Sequence, residues 1–174
     1  MGMLKLLTRE AFPMVYDIME QSFPKEEYRT FDGQHALTER ANYRLYGEMD
    51  PTGQLRGFMA VWEVEGYCFL EHFAVSPTER NCGLGAAMLR ELKAMYHEPI
   101  CLEVELPESE LTRRRVAFYE RNGFYLNPYP YEQPSLGEGR APVPLQLMTT
   151  GSTLTREAFG TLKRILYTEV YGVS

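Results

Sequence analysis

The chain has 174 residues, enough for one domain with a core of its own, and 44% of its residues are apolar while 24% are charged. This composition is typical of a soluble globular protein and excludes disordered, fibrous and collagen-like chains. The formal net charge of −6 disfavours a protein whose main task is to grip nucleic-acid phosphates, and it favours a neutral or cationic substrate.

Local patterns predict two helices and then an antiparallel meander in the first 75 residues. Residues 4–7 have the pattern of a short strand, and Thr8 is placed to cap a helix over residues 9–21. A second helix is predicted over residues 32–41. Three strands follow, over residues 43–49, 54–64 and 67–75. The turn sequence from Asp50 to Gly53 separates the first two strands.

From residue 84 onward, helices and strands alternate. Apolar residues recur there at helical spacing: Leu84, Met88, Leu92 and Met95. They predict a helix that begins near Leu84 and ends before Pro99. The next predicted elements are a strand over residues 100–106, a helix over 111–122, and strands over 124–129 and 143–149. A proline-rich segment, residues 128–142, is expected to be an ordered surface excursion.

The last predicted element is an amphipathic helix within residues 151–174, capped by Thr153 or Thr155. We expect this helix to pack on or beside one α/β domain that spans residues 1–150.

Three observations concern the compartment. No apolar run is long enough for a membrane span, and the first ten residues are too short and too quickly charged for a signal peptide. Cys68, Cys82 and Cys101 lack CxxC spacing, which fits a reducing environment. We therefore expect a cytoplasmic protein without a membrane or nucleic-acid partner.

The stretch from Leu70 to Ala86 carries the clearest chemical signal. It predicts a strand, a loop and then two glycines, Gly83 and Gly85, that open a helix. Backbone N–H groups at a helix N-terminus are unpaired, and residues without Cβ atoms let phosphate oxygens approach them closely. One interpretation is an anion-binding loop with Arg80 as an additional cation, and the other is an ordinary glycine-rich helix start.

Two known phosphate loops do not fit this stretch. A dinucleotide fingerprint needs a third glycine where Met88 stands, and the sequence GxxxxGK[ST] is absent. The hexamer Arg80-Asn-Cys-Gly-Leu-Gly85 instead matches [QR]-x-x-G-x-[GA], the pyrophosphate-binding motif of the GNAT family of acetyl-CoA-dependent N-acetyltransferases. The segment from Phe118 to Phe124 also matches the FYxxxGF signature of that family. In these motifs and in its order of elements, the chain resembles a GNAT acetyltransferase.

The resemblance implies a single GNAT-type α/β domain, with a mixed central sheet of about six to seven strands, flanking helices and the C-terminal helix. It implies acetyl-CoA as co-substrate, without a metal. Strand residues would pair with the pantetheine arm, Arg80 would open the loop, and the N–H groups after it would hold the pyrophosphate. The cofactor-binding residues implied are Phe73, Ala74, Val75, Arg80, Asn81, Cys82, Gly83, Leu84, Gly85 and Ala86.

The same resemblance assigns the general acid. Tyr119 aligns with the tyrosine that commonly protonates the departing thiolate in this family. Thr112 stands where many relatives carry an asparagine that contacts the cofactor, so that contact is in doubt.

Acetyl transfer to an amine also needs a base, because an ammonium group with a pKa near about 10 must first lose a proton. Glu71 is the first candidate. In its predicted strand it shares a face with Phe69 and Phe73, where the loss of hydration would raise its pKa. A structural carboxylate is the alternative. His72 is expected to point the opposite way and to be packed or hydrogen-bonded.

Glu103 and Glu105 are the second candidates for the base, since they alternate to the same side of the next strand. A solvated strand face explains the same alternation. We predict an acetyl-CoA-dependent N-acetyltransferase that acts on a primary amine of a small molecule by direct attack, with Glu71 as base and Tyr119 as acid. A non-catalytic acyl-CoA sensor and an acetyltransferase of peptide or protein N-termini are the alternatives. The acceptor and a homodimeric state are left open.

Overall fold

The fold is organised around one mixed sheet, which a computed structural model shows for residues 4–174. Residues 1–3 lie outside the described residues. They belong to the N-terminal segment that the sequence analysis expects not to be a signal peptide. The described strands are β1 (Lys5–Leu6), β2 (Tyr43–Met49), β3 (Leu55–Val64), β4 (Tyr67–Val75), β5 (Ile100–Glu105), β6 (Phe124–Leu126), β7 (Tyr131–Gln133) and β8 (Val143–Thr150).

The strand order is β1-β2-β3-β4-β5-β8-β6, and β7 also pairs with β8. Only the β4–β5 pair is parallel among the described strands, and the helix between these two strands makes the crossover. The predicted mixed α/β class is confirmed, although the described sheet has eight strands rather than six to seven. The additional strand is β7, which lies in the proline-rich segment and has too few residues to show an alternating pattern.

Five α-helices cover the two faces of the sheet. They are α1 (Phe12–Ser22), α2 (Phe31–Leu37), α3 (Leu84–Met95), α4 (Glu110–Arg121) and α5 (Arg156–Glu169). Between residues 4 and 174, none of the helices has both the length and the apolar character that crossing a membrane requires.

The helix starts differ in part from the predicted ones. Thr8 makes no side-chain capping bond, because the chain first forms a 3₁₀ turn, Arg9–Ala11, before α1 begins. Thr155, one of the two predicted caps of α5, accepts a hydrogen bond from the backbone N–H of Ala158 at 3.1 Å. Helix α2 ends at Leu37 instead of residue 41, and the residues after it form the turn that leads into β2.

Two apolar clusters lie on opposite faces of the sheet. One combines residues of α1 and α5 with Trp62 and Phe69, and the other combines residues of α3 with Leu70 and Leu102. Phe159, Leu162 and Leu166 place the inner face of α5 in the first cluster.

A bulge in β4 changes which way its side chains point. Ala60 lies opposite His72, but the next residue, Val61, lies opposite Leu70, so Glu71 is the extra residue of β4. The pairing of β4 with β5 ends at Leu70 and Leu102, although both strands continue. A gap therefore opens between the ends of two adjacent strands.

Candidate active site

A cleft of about 740 Å³ occupies the gap between β4 and β5. Its walls come from the ends of both strands, the loop before α3 and one face of α4. The residues from the predicted site that line it are Phe73, Ala74, Val75, Arg80, Asn81, Gly83, Leu84, Gly85, Ala86 and Tyr119. Glu71 and Cys82 are the two predicted site residues that are not part of this lining.

The loop before α3 has the backbone conformation of an anion cradle. Gly83 has φ = 82° and directly precedes the helix, and Asn81 has φ = 66°, the only positive φ at a described residue other than glycine. A left-handed residue followed by a helical one, as at Gly83 and Leu84, turns successive N–H groups toward a common point, which is how backbone nests bind anions. The Sγ atom of Cys82 instead donates a hydrogen bond to the carbonyl of Glu79 at 2.7 Å.

Close packing under the loop explains the second glycine. A Cβ atom added at Gly85 would lie 3.3 Å from Phe118 Cζ and 3.6 Å from Phe73 Cζ, whereas one added at Gly83 would have no neighbour within 4 Å. Gly85 is therefore limited by packing and Gly83 by its backbone conformation. Together they leave the backbone of this loop uncovered by side chains on the cleft wall beside Arg80, where an anion could be bound.

Tyr119 reaches the cleft from the last turns of α4. Ser109 caps the start of this helix: its side chain accepts from the N–H of Thr112 at 3.1 Å, while Thr112 Oγ1 accepts from the N–H of Ser109 at 3.0 Å. Thr112 thus has a capping role at the position where many relatives have asparagine. Burial raises the pKa of Tyr119 to about 12, against a smaller opposing effect of Arg115, so its hydroxyl stays protonated at neutral pH.

Glu71 is nearly fully buried and ion-paired. Arg29 Nη1 lies 3.0 Å from its Oε2, and the indole N–H of Trp62 donates to its Oε1 at 2.8 Å. Burial alone would raise the pKa of Glu71, but Arg29, with smaller effects of His72 and Trp62, holds that pKa below its ordinary value. The expectation of a raised pKa is therefore wrong, because the sequence does not reveal the cation.

The bulge also corrects two predicted orientations. Phe69 belongs to the same apolar cluster as Trp62, whereas Phe73 packs with the cluster on the other face, so Glu71 does not share a face with Phe73. His72 points to the same side as Glu71, since its Nδ1 lies 4.0 Å from Glu71 Oε1. Its packed and hydrogen-bonded state is as expected: Nε2 donates to the carbonyl of Glu27 at 2.7 Å.

Glu103 lines the cleft from β5. Two tyrosine hydroxyls donate to its carboxylate, from Tyr131 at 2.6 Å and from Tyr171 at 2.7 Å. Burial raises the pKa of Glu103 to about 8, the tyrosine donors oppose this rise, and the charges of Glu71 and Glu27 add to it. Glu105 also lines the cleft and forms an ion pair with Arg115 at 2.5 Å.

Glu27 is a cleft residue that the sequence analysis missed. It lies in a 3₁₀ turn, Lys25–Glu27, and burial, with the charge of Glu105 next in effect, raises its pKa to about 7. No local motif marks it, because it reaches the cleft only through tertiary packing. The contact between its carbonyl and the buried His72 is part of that packing.

The proline-rich segment is hydrogen-bonded to the backbone on both sides of Glu27. Gln133 Nε2 donates to the carbonyl of Glu26 at 2.9 Å, and Arg140 Nε donates to the carbonyl of Tyr28 at 2.6 Å. The residues before and after Glu27 are thus both bound by this segment, which is ordered as expected.

Comparisons with known proteins agree with this architecture. A family model described as acetyltransferase (GNAT) domain matches residues 41–126. A GNAT-family protein from Bacteroides thetaiotaomicron has a solved structure that superposes with a TM-score of 0.85 at 32% identity, covering 98% of this chain and 99% of that one. No curated protein sequence matches the chain.

Two more distant structures share the fold alone. The ribosomal-protein-S18-alanine N-acetyltransferase from Escherichia coli gives a TM-score of 0.63 at 21% identity, over 90% of this chain and 97% of that one. A mutant spermidine N-acetyltransferase from Vibrio cholerae gives 0.62 at 18% identity, over 84% and 93%. The near-complete match at 32% identity, the family model and the cleft at the β4–β5 gap lead to one conclusion. The chain belongs to the GNAT family and is an acyltransferase.

Proposed function

We propose that this enzyme transfers the acetyl group of acetyl-CoA to a primary amine of a small molecule by direct attack. The observation that carries the proposal is the polarity of one cleft. The glycine loop, Arg80 and Tyr119 line this cleft together with the carboxyl groups of Glu27 and Glu103. An anionic co-substrate and a cationic acceptor would each meet groups of opposite charge.

The cofactor would occupy the loop side. The N–H groups from Asn81 to Ala86 would bind the pyrophosphate, Arg80 would add a positive charge, and the backbone of Phe73–Val75 would pair with the pantetheine arm. When bound, acetyl-CoA supplies an acyl group activated as a thioester.

We assign the role of base to Glu103, one of the second candidates from the sequence. Its carboxylate lines the cleft, and its pKa of about 8 lies closer to that of an amine than an ordinary carboxylate does. Glu71, the first candidate, is engaged by Arg29 and Trp62, and we assign it to holding the 25–29 segment against β4. Glu27 would bind the ammonium form of the acceptor beside Glu103.

Tyr119 is the proposed general acid. Its raised pKa keeps the hydroxyl protonated at neutral pH, so that it can donate its proton to the sulfur as the thioester C–S bond breaks and the thiolate leaves. The two proton transfers are thus assigned to opposite sides of the cleft: Glu103 removes one from the amine, and Tyr119 gives one to the sulfur.

A small acceptor is favoured over a protein N-terminus by one observation. The proline-rich segment is bound to both residues that flank Glu27. We infer that it would obstruct a peptide that continued past Glu27. The distant structural relatives named for spermidine and for a ribosomal protein represent both kinds of acceptor.

The test is a panel of acceptors assayed for release of the CoA thiol. The panel contains polyamines, amino acids, aminoglycosides and short peptides with free N-termini, and calorimetry measures acetyl-CoA binding separately. We expect acetyl-CoA to bind and at least one small amine to be acetylated. Failure to bind acetyl-CoA and CoA would overturn the proposal, and turnover of peptides alone would overturn the small acceptor.

A further inference from the structure

Glu103 is held by two hydroxyl groups that come from parts of the chain far from β5. Tyr131 on β7 donates to Oε2 at 2.6 Å. The hydroxyl of Tyr171, two residues beyond the end of α5, lies 2.8 Å from Oε1 and 2.7 Å from Oε2, so it bridges both oxygens. Three separate segments therefore meet at one carboxylate.

Packing fixes both tyrosine rings. Tyr131 is buried and lies opposite Leu145 in the β7–β8 pair. The centroid of its ring lies 6.3 Å from that of Phe159. The backbone N–H of Tyr171 donates to the carbonyl of Leu166 at 3.1 Å, and its ring meets that of Tyr167 edge-on at 6.4 Å. Both donors are thus in place before a substrate arrives.

The protonation states suit this role. Burial raises the pKa of Tyr131 and of Tyr171 well above the ordinary value, and the charge of Glu103 is the second largest cause of this rise. Both hydroxyls therefore remain hydrogen-bond donors at neutral pH. Donors to a carboxylate stabilise its ionised form and therefore lower its pKa. The other groups that act electrostatically on this cluster are Glu27, Arg29, Glu71, Cys101 and Tyr167.

We propose that Tyr171, together with Tyr131, is a positioning residue: its hydroxyl fixes the Glu103 carboxylate in the orientation that accepts the proton of the amine. The C-terminal segment after α5 therefore completes the active site. This inference rests on the proposed function, in which Glu103 is the base. A carboxylate on a strand end has free side-chain rotations, and a bridging donor from a packed ring removes them.

The direct test measures Glu103 without any substrate. In protein labelled with ¹³C at the glutamate carboxyl carbons, the Glu103 signal is identified with Glu103→Gln and titrated by NMR. Tyr171→Phe should raise the pKa of Glu103 by about one unit. Tyr167→Phe is the matched control, because its hydroxyl bonds to the carbonyl of Glu132 and not to Glu103. An unchanged Glu103 pKa, or an equal shift in the control, would overturn the inference.

The kinetic test uses the best primary amine of the acceptor panel. Tyr171→Phe should lower kcat/KM about tenfold at neutral pH, and the loss should shrink at alkaline pH, where Glu103 is ionised in both proteins. A loss that is equal at every pH would mean a structural role and overturn the inference. Tyr131→Phe provides a second variant if the first does not fold.

The two proposals fail in different ways. A shifted Glu103 pKa in a protein that acetylates no amine would support the hydroxyl contact and overturn the proposed function. Turnover in the wild type, with a Glu103 pKa that neither tyrosine changes, would overturn the positioning role and support the proposed function.

Discussion

Arg29 and Glu71 form a buried ion pair in which Nη1 lies 3.0 Å from Oε2, and their side chains are 11% and 1% exposed. Glu71 lies on the same face of the sheet as Phe69 and Trp62, toward the segment that follows α1. The bulge brings the next residue, His72, to that face as well, where its Nε2 donates to the carbonyl of Glu27. Gln34 Oε1 completes the contacts of Arg29 by accepting from its backbone N–H and from its guanidinium, both at 3.0 Å. The same irregularity of β4 thus ties down the segment that carries Glu27.

Glu71→Gln should therefore lower stability more than a change in the cleft does. Removing one partner leaves the Arg29 charge buried without compensation, which typically costs about 3–5 kcal/mol. The pKa of Glu71 is lowered in the folded protein, so its stabilisation is present above the ordinary carboxyl pKa and is lost as the pH falls through the lower, folded value. Urea unfolding at neutral and acidic pH measures both effects.

The control for that experiment removes both charges. Arg29→Met combined with Glu71→Gln leaves no isolated buried ion and should recover much of the lost stability. If Glu71→Gln alone unfolds at the same urea concentration as the wild type, the ion pair does not hold the segment.

A bulky residue at Gly83 should abolish acetyl-CoA binding. Its side chain would project from the loop that we assign to the pyrophosphate, while its φ of 82° would add backbone strain of about 1–2 kcal/mol. Gly66→Leu separates the two effects, because Gly66 has φ = 75°, also has no neighbour within 4 Å of an added Cβ, and lies in the β3–β4 turn. Calorimetry should show binding in Gly66→Leu and none in Gly83→Leu. Equal binding in both would contradict the assignment of the loop.

The elements that sequence predicts well are those with local signals. The predicted strand over residues 67–75 and the helix from Leu84 agree with β4 and α3, since alternation, helical spacing and Gly83 mark their limits. The turn after β2 is equally local: Asp50 Oδ1 accepts from the N–H groups of Thr52 and Gln54 at 2.8 and 3.0 Å. The motifs that contain the glycine loop and Tyr119 are continuous in sequence, so the sequence alone identifies them as candidate site residues.

The rest of the site depends on contacts between distant segments. The bulge at Glu71 has no glycine or proline to mark it, so strict alternation gives the wrong face for every residue after it. Glu27 and Tyr171 carry no motif: Glu27 reaches the cleft through tertiary packing, and Tyr171 contacts the cleft residue Glu103 from beyond the end of α5. A hydrophobic pattern with a period of two or 3.6 residues reports local structure, so it does not predict which distant segments contact each other.

The pH dependence of turnover should report the two cleft carboxylates. Glu27 and Glu103 have pKa values of about 7 and about 8, and a base must be ionised to accept a proton, so the rate should rise across this range. Because the two groups interact, the profile gives apparent values for the pair. Measured as kcat/KM against pH, turnover should be faster at pH 8.5 than at pH 6.5.

Glu103→Gln is the variant that identifies the base. It should lower kcat by about 10²–10³-fold while acetyl-CoA affinity stays near that of the wild type, since the cofactor contacts are assigned to β4 and the loop before α3 and not to β5. Glu105→Gln, on the same side of β5 but paired with Arg115, should have a much smaller effect. Comparable losses in the two variants would reject the assignment of Glu103.

Tyr119→Phe should separate catalysis from cofactor binding. The substitution removes only the hydroxyl, so the edge-on packing of the ring against Phe118 and Phe124, at 5.3 and 5.5 Å, is kept. Without a proton donor for the thiolate, kcat should fall by about 10²-fold while the Kd for acetyl-CoA changes little. Tyr125→Phe, at an exposed tyrosine of β6 that does not line the cleft, is the matched control and should behave as wild type. An equal loss of kcat and of cofactor affinity would make Tyr119 a structural residue, because a general acid contributes to the transition state and not to the binding of the co-substrate.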